Sequence, residues 1–91
     1  LDMSKCRQLT DAAFAHLDGI EELNMNGCNQ AMITDEAFSH LRGIRTLCMR
    51  YCSQEGITGA AMAHLRGVRH LDIIGCNETT RAGAVREGLQ L

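Results

Sequence analysis

The chain has no proline and no tryptophan, and Phe14, Phe38 and Tyr51 are its whole aromatic complement. Its core must therefore be aliphatic and thin. Neither charge sign dominates: nine basic against eleven acidic residues give 9 − 11 = −2 with histidine neutral. That balance supplies no general electrostatic footprint for nucleic acid or an anionic membrane, so neither is an expected partner. No apolar run approaches the roughly 20 residues that a membrane-spanning helix needs. No basic stretch followed by an apolar one marks a signal peptide. The 91 residues suffice for one domain, residues 1–91, and the opening leucine in place of methionine is expected of a processed or excised piece.

What the chain does have is a repeat. Ile20 to Gly43 reads IEELNMNGCNQAMITDEAFSHLRG and Ile44 to Gly67 reads IRTLCMRYCSQEGITGAAMAHLRG, with the same residue at half of the aligned positions. A fixed period of this size decides architecture before local propensity does. Residues 1–19 are the same unit without its start and two loop positions, and residues 68–91 form a degenerate fourth copy.

Within each copy the apolar period changes from two to about 3.6, as in a strand followed by a helix. Leu23-Asn24-Met25, Leu47-Cys48-Met49 and Leu71-Asp72-Ile73 put their outer residues on one strand face and the middle residue on the other. Leu1, Leu23, Leu47 and Leu71 are expected to form one buried column, and Met3, Met25, Met49 and Ile73 the next. Thr34 is placed to cap a helix whose positive end suits Asp35, and Ala37, Phe38 and Leu41 form its inward stripe. Gly43 stops that helix, as Gly19 and Gly67 stop theirs. A single strand–helix unit cannot bury its own face, so the copies are expected to stack, strands on a concave side and helices on a convex one.

The pattern L-x-L/M-x-x-C followed by I-T-D/G-x-A-F/M-x-H-L-x-G resembles the cysteine-containing subfamily of leucine-rich repeats over essentially the whole chain. The resemblance implies an α/β fold: a right-handed leucine-rich-repeat solenoid of about four 24-residue repeats, curved like a horseshoe. It further implies a protein-interaction role related to the substrate receptors of F-box ubiquitin ligases, although nothing in the chain resembles an F-box. In the fourth copy Arg81 stands at the position of Ile33 and Arg86 at that of Phe38. Residues 79–91 are accordingly expected to be an irregular helix serving as a C-terminal cap.

Cys6, Cys28, Cys52 and Cys76 recur with the repeat, while Cys48 stands outside the series. A ladder sets thiols in a line about 5 Å apart, which does not suit tetrahedral zinc. They are expected to be reduced, turn-filling thiols in an intracellular protein, cytoplasmic or nuclear, with no metal and no cofactor. His16, His40 and His64 form a second row, expected to bond neighbouring turns. Cys48 beside His70 is the one thiol–imidazole pair not dismissed by position, but so thin a fold offers no deep pocket, and no enzymatic activity is expected. The glycines form no phosphate-binding run. Arg42, Arg45, Arg66 and Arg69 are read as a solvated basic strip.

The functional expectation rests on the exposed strand face. Its central column is Asp2, Asn24, Cys48 and Asp72. The flanking columns are Glu22, Thr46 and His70 on one side and Ser4, Asn26, Arg50 and Ile74 on the other, with Tyr51 in the turn beyond. The expected protein- or peptide-binding residues are Asn24, Asn26, Thr46, Cys48, Arg50, Tyr51, His70, Asp72 and Ile74. The rival expectation is structural: self-association of the open ends into oligomers or filaments.

Overall fold

The computed structural model describes residues 1–4 and 8–89. Three short parallel strands, β1 (Glu22–Asn24), β2 (Thr46–Cys48) and β3 (His70–Asp72), form one sheet in the order β1-β2-β3. Each strand has three residues and alternates because only its middle leucine faces inward: Leu23, Leu47 and Leu71 are buried. The register pairs Glu22 with Thr46 and Thr46 with His70, then Asn24 with Cys48 and Cys48 with Asp72. Residues one repeat length apart are thus side by side.

Helical segments cover the other side of the core. The first is α1 (Asp11–Phe14), continuing as a 3-10 turn over Ala15–Leu17. The second is a 3-10 helix throughout, Asp35–Leu41. The third is α2 (Gly59–Met62) with a 3-10 turn over Ala63–Leu65, and the fourth is α3 (Glu78–Arg86). In a 3-10 helix residues three apart eclipse, which sets Phe38 directly over Leu41 with Ala37 beside them, all three fully buried. Thr34 caps this helix as expected, its hydroxyl accepting from the Glu36 amide at 3.3 Å. Gly19, Gly43 and Gly67 end their helical segments at positive φ. Among the described residues no helix is long and apolar enough to cross a membrane.

This architecture corrects the expected fold. The described residues form a small α/β domain with three strands and four helical segments, too small and with too few strands for a four-repeat leucine-rich-repeat solenoid. Among the described residues the first copy supplies no strand. Its contribution is an isolated bridge between Asp2 and Asn24, with Leu1 64% exposed instead of heading the buried column. Two bonds hold it to β1, from the Met3 amide to the Asn24 carbonyl and from the Asn24 amide to the Leu1 carbonyl, both at 2.8 Å, and they leave the Leu1 side chain in solvent.

The fourth copy is corrected in the opposite direction. Its helix is not irregular: α3 is nine residues of α-helix, the longest regular one among the described residues. It begins at Asn77, well before the position equivalent to Thr34, so Thr80, Gly83 and Ala84 face inward while Arg81 and Arg86 stay exposed. The Asn77 carboxamide organises this start. Its Oδ1 accepts from the Thr80 amide at 2.9 Å and the Thr79 hydroxyl at 2.7 Å. Its Nδ2 donates to the Ile57 carbonyl at 2.8 Å and the Gln54 carbonyl at 3.2 Å. Gly83 lies so near the backbone of Gly59 that a side chain at position 83 would collide with it, and this closeness lets α3 pack on α2.

A second tie between neighbouring helices runs through aspartate. Asp11 accepts from the Thr34 amide at 2.7 Å and from its hydroxyl at 2.5 Å. One repeat later Asp35 accepts from the Thr58 amide and hydroxyl, both at 2.6 Å. Each threonine hydroxyl, having donated to the preceding aspartate, accepts from its own helix, Thr58 taking the Ala60 amide at 3.2 Å. At the third position the acid is replaced by Gly59, and the glycine–glycine contact takes over.

The cysteine series performs the turn-filling role. Cys28, Cys52 and Cys76 are buried, and each thiol donates to the carbonyl of the methionine one copy earlier: Met3, Met25 and Met49, all at 3.1 Å. Burial pushes the Cys52 thiol up to about 12 and raises Cys76 as well. Cys6 lies outside the described residues.

Candidate functional site

The strand face brings together most of the residues singled out from sequence, and it uses several of them to hold its own backbone. In the central column, Asn24 Oδ1 accepts from the Asn26 amide at 3.0 Å and Asp72 Oδ1 from the Ile74 amide at 3.2 Å. Asp2 does the same for Ser4, accepting its amide at 2.9 Å and its hydroxyl at 2.7 Å, and these bonds lower the Asp2 pKa. These are Asx turns, and those of Asn24 and Asp72 end β1 and β3. Cys48 has no oxygen to offer, and there Asn26 reaches across from the previous turn to accept the Arg50 amide at 2.7 Å. Asn24 and Asn26 are therefore scaffold as well as surface.

Arg50 and Asp72 form an ion pair across adjacent turns, Nε to Oδ2 at 2.5 Å, and the Asp72 carboxylate raises the Arg50 pKa. The pair leaves little net charge for a ligand and ties the Arg50 guanidinium to the end of β3. Beside it Tyr51 is 60% exposed and Ile74 48% exposed. The Tyr51 amide donates to the Ile74 carbonyl at 2.8 Å, which holds the two residues together.

Tyr51 also carries the only positive φ of a non-glycine residue among those described, +63°. The equivalent turn residues of the other two strands are Gly27 and Gly75, at +76° and +78°. The turn demands a left-handed residue, and a tyrosine there stores strain of order 1–3 kcal/mol. The ring lies against Gly75, where an added Cβ would overlap it.

His70 and Thr46 face each other two residues away along the strands, and Cys48 stands opposite Asp72. The register thus pairs neither Cys48 nor His70 with the other. Arg50, Tyr51, Asp72 and Ile74 form the tightest group of the predicted site; Thr46, Cys48 and His70 extend it along the strands, and Asn24 and Asn26 lie at its far edge. Sequence reasoning did not find the self-capping of the central column. The signal was present as an Asx residue two positions before the turn in Asp2, Asn24 and Asp72.

One concavity opens beside this face and another among the helix ends. One, of about 290 Å³, is lined by Leu71, Asp72, Ile73, Ile74 and Arg81. The other, of about 310 Å³, lies among Arg42, Gly43, Ala63, His64 and Arg66 at the helix ends. The basic strip is partly neutralised there, since Arg66 Nε bonds Glu87 Oε1 at 3.0 Å. In the histidine row, His40 Nδ1 lies 3.2 Å from Asp18 Oδ1 of the preceding turn. No group of three metal-ligating side chains gathers among the described residues.

Comparison of the chain with protein-family models, with curated proteins and with solved structures returned no match. With a three-stranded sheet among the described residues and no match that supports them, the leucine-rich-repeat reading and the ubiquitin-ligase role that the resemblance implied are both withdrawn.

Proposed function

We propose that the chain is a non-enzymatic protein-binding module that docks a protein or peptide on its exposed strand face. The observation that carries this reading is Tyr51. A large ring is kept exposed at a left-handed position where both neighbouring turns use glycine, so local stability alone does not account for it. Around it, Ile74 adds aliphatic surface and the Arg50–Asp72 pair adds a fixed polar rim. Tyrosine and arginine are frequent anchors of protein interfaces. The rest of the predicted set, Asn24, Asn26, Thr46, Cys48 and His70, surrounds these anchors as complementary surface. The net charge of −2 supports a protein partner over nucleic acid or an anionic membrane. Cys52 and Cys76, buried free thiols that serve as hydrogen-bond donors, fit a reducing, intracellular compartment.

The test is a selection of displayed peptides on the folded chain, followed by affinity measurements on the Arg50→Ala/Tyr51→Ala variant. Loss of more than about 1 kcal/mol of binding with the fold intact supports the face. Undiminished binding of every selected peptide removes it.

A further inference from the structure

The sheet order leaves one side of β3 without a neighbouring strand among the described residues. The ladder shows which groups are bare there. The Met49 amide donates to the Asp72 carbonyl at 2.9 Å, the Tyr51 amide to the Ile74 carbonyl at 2.8 Å, and the His70 amide to the Arg45 carbonyl at 3.0 Å. Residues 70, 72 and 74 therefore face β2, and in a parallel ladder the alternate residues, Leu71 and Ile73, direct their amides outward. The concavity of about 290 Å³ runs along this same side. Its floor is apolar, from the buried Leu71 and Ile73, and the exposed Ile74 extends it.

Arg81 of α3 forms the opposite wall. Arg50 and Arg66 are paired with carboxylates, but Arg81 has no carboxylate partner among the described residues. Asp72, the acid nearest along the groove, is engaged by Arg50. The edge thus offers outward amides, an apolar trough and one unneutralised cation. These complement an extended backbone, an apolar side chain and an acidic side chain.

We propose that the open side of β3 is a docking edge for an extended peptide segment bearing an acidic side chain, which adds as a strand beside β3 and sets its carboxylate on Arg81. The inference rests on the reading that the chain binds protein, and it assigns a surface of its own: the sheet edge, not the face around Tyr51. Strand addition draws affinity from main-chain hydrogen bonds and selectivity from alternate side chains. Here the apolar trough and Arg81 read those alternate side chains.

The probe is a fluorescein-labelled hexapeptide of alternating valine and threonine with one glutamate, titrated into the 91-residue chain and followed by anisotropy and amide hydrogen exchange. Saturable binding is expected, with exchange slowed at Leu71 and Ile73. Replacing the glutamate by glutamine should weaken binding at least fivefold, and Arg81→Gln should cause the same loss without adding to it. N-methylation of alternate peptide residues should abolish binding. Equal binding of the N-methylated peptide, unchanged exchange at Leu71 and Ile73, or no binding of any hexapeptide overturns the proposal. So does an Arg81→Gln chain that dimerises in sedimentation and ignores the peptide, because Arg81 would then only guard the edge against a second copy. Failures of the two readings are distinguishable. Hexapeptide binding that is lost on Arg50→Ala/Tyr51→Ala but indifferent to Arg81→Gln sinks the edge and keeps the face. Selected peptides whose binding all survives Arg50→Ala/Tyr51→Ala but falls with Arg81→Gln sink the face and keep the edge.

Discussion

The ring of Tyr51 lies against Gly75, both residues sit in left-handed backbone, and the contact leaves no room for a side chain on the glycine. One residue is in that conformation at a steric cost and the other at almost none. Tyr51→Gly should therefore hold stability within about 1 kcal/mol of the parent, since relieved strain offsets the added freedom of the unfolded chain. Binding at the strand face should fall. Urea denaturation read alongside peptide affinity checks this, and a stability loss well beyond that range would mean that ring packing outweighs strain.

Gly75→Ala should behave differently. The new methyl meets both an unfavourable φ of +78° and the Tyr51 ring, so a loss of roughly 1–3 kcal/mol is expected. Combining it with Tyr51→Gly should recover the part due to the clash, which a double-mutant cycle measures.

The Asp35–Thr58 tie predicts that Asp35→Ala destabilises the chain by about 1–3 kcal/mol, because the Thr58 amide and hydroxyl both lose an acceptor in a half-buried place. Asp35→Asn keeps one acceptor oxygen and should fall between. If the alanine variant melts like the parent, water replaces the carboxylate without penalty.

Thiol chemistry should follow burial. Near pH 8 the half-buried Cys48 is expected to react with a thiol reagent well before Cys52 and Cys76, which should wait for unfolding. The raised folded pKa of Cys52 also sets a pH window. Its contribution to stability is fully present below the unfolded value of 9.0 and is lost as pH rises toward about 12, where the unfolded thiol ionises and the folded one does not. Alkaline unfolding curves of the parent and Cys52→Ala should converge across that range.

Leu47, in the central strand and fully buried, should cost about 2–5 kcal/mol when cut to alanine, whereas the exposed Leu1 should cost under about 0.5 kcal/mol. Comparable losses at the two positions would show that the first copy packs like the central ones.

Read by itself, the sequence determined everything governed by nearest neighbours one repeat apart. The alternation Leu-x-Met places Leu23 and Leu47 inside, the cysteines fall in the turns, Thr34 caps its helix, and the strand register follows the repeat. Each of these needs only a short period and an identical neighbour. Where the neighbour changes, that logic stops. Whether Leu1 joins the buried column depends on what packs over its side chain, and it stays 64% exposed. Whether the arginine-bearing last copy makes a regular helix depends on Asn77 reaching the Ile57 carbonyl and on Gly83 meeting Gly59, contacts between residues about one repeat apart that carry no shared pattern. The same holds at the candidate site. Arg50, Tyr51, Asp72 and Ile74 were legible as exposed residues, but the ion pair, the left-handed tyrosine and the open edge beside Arg81 came from the tertiary structure. The physical reason is that periodicity specifies which face a side chain takes, while pairing, strain and exposure depend on what the neighbouring turn places against it.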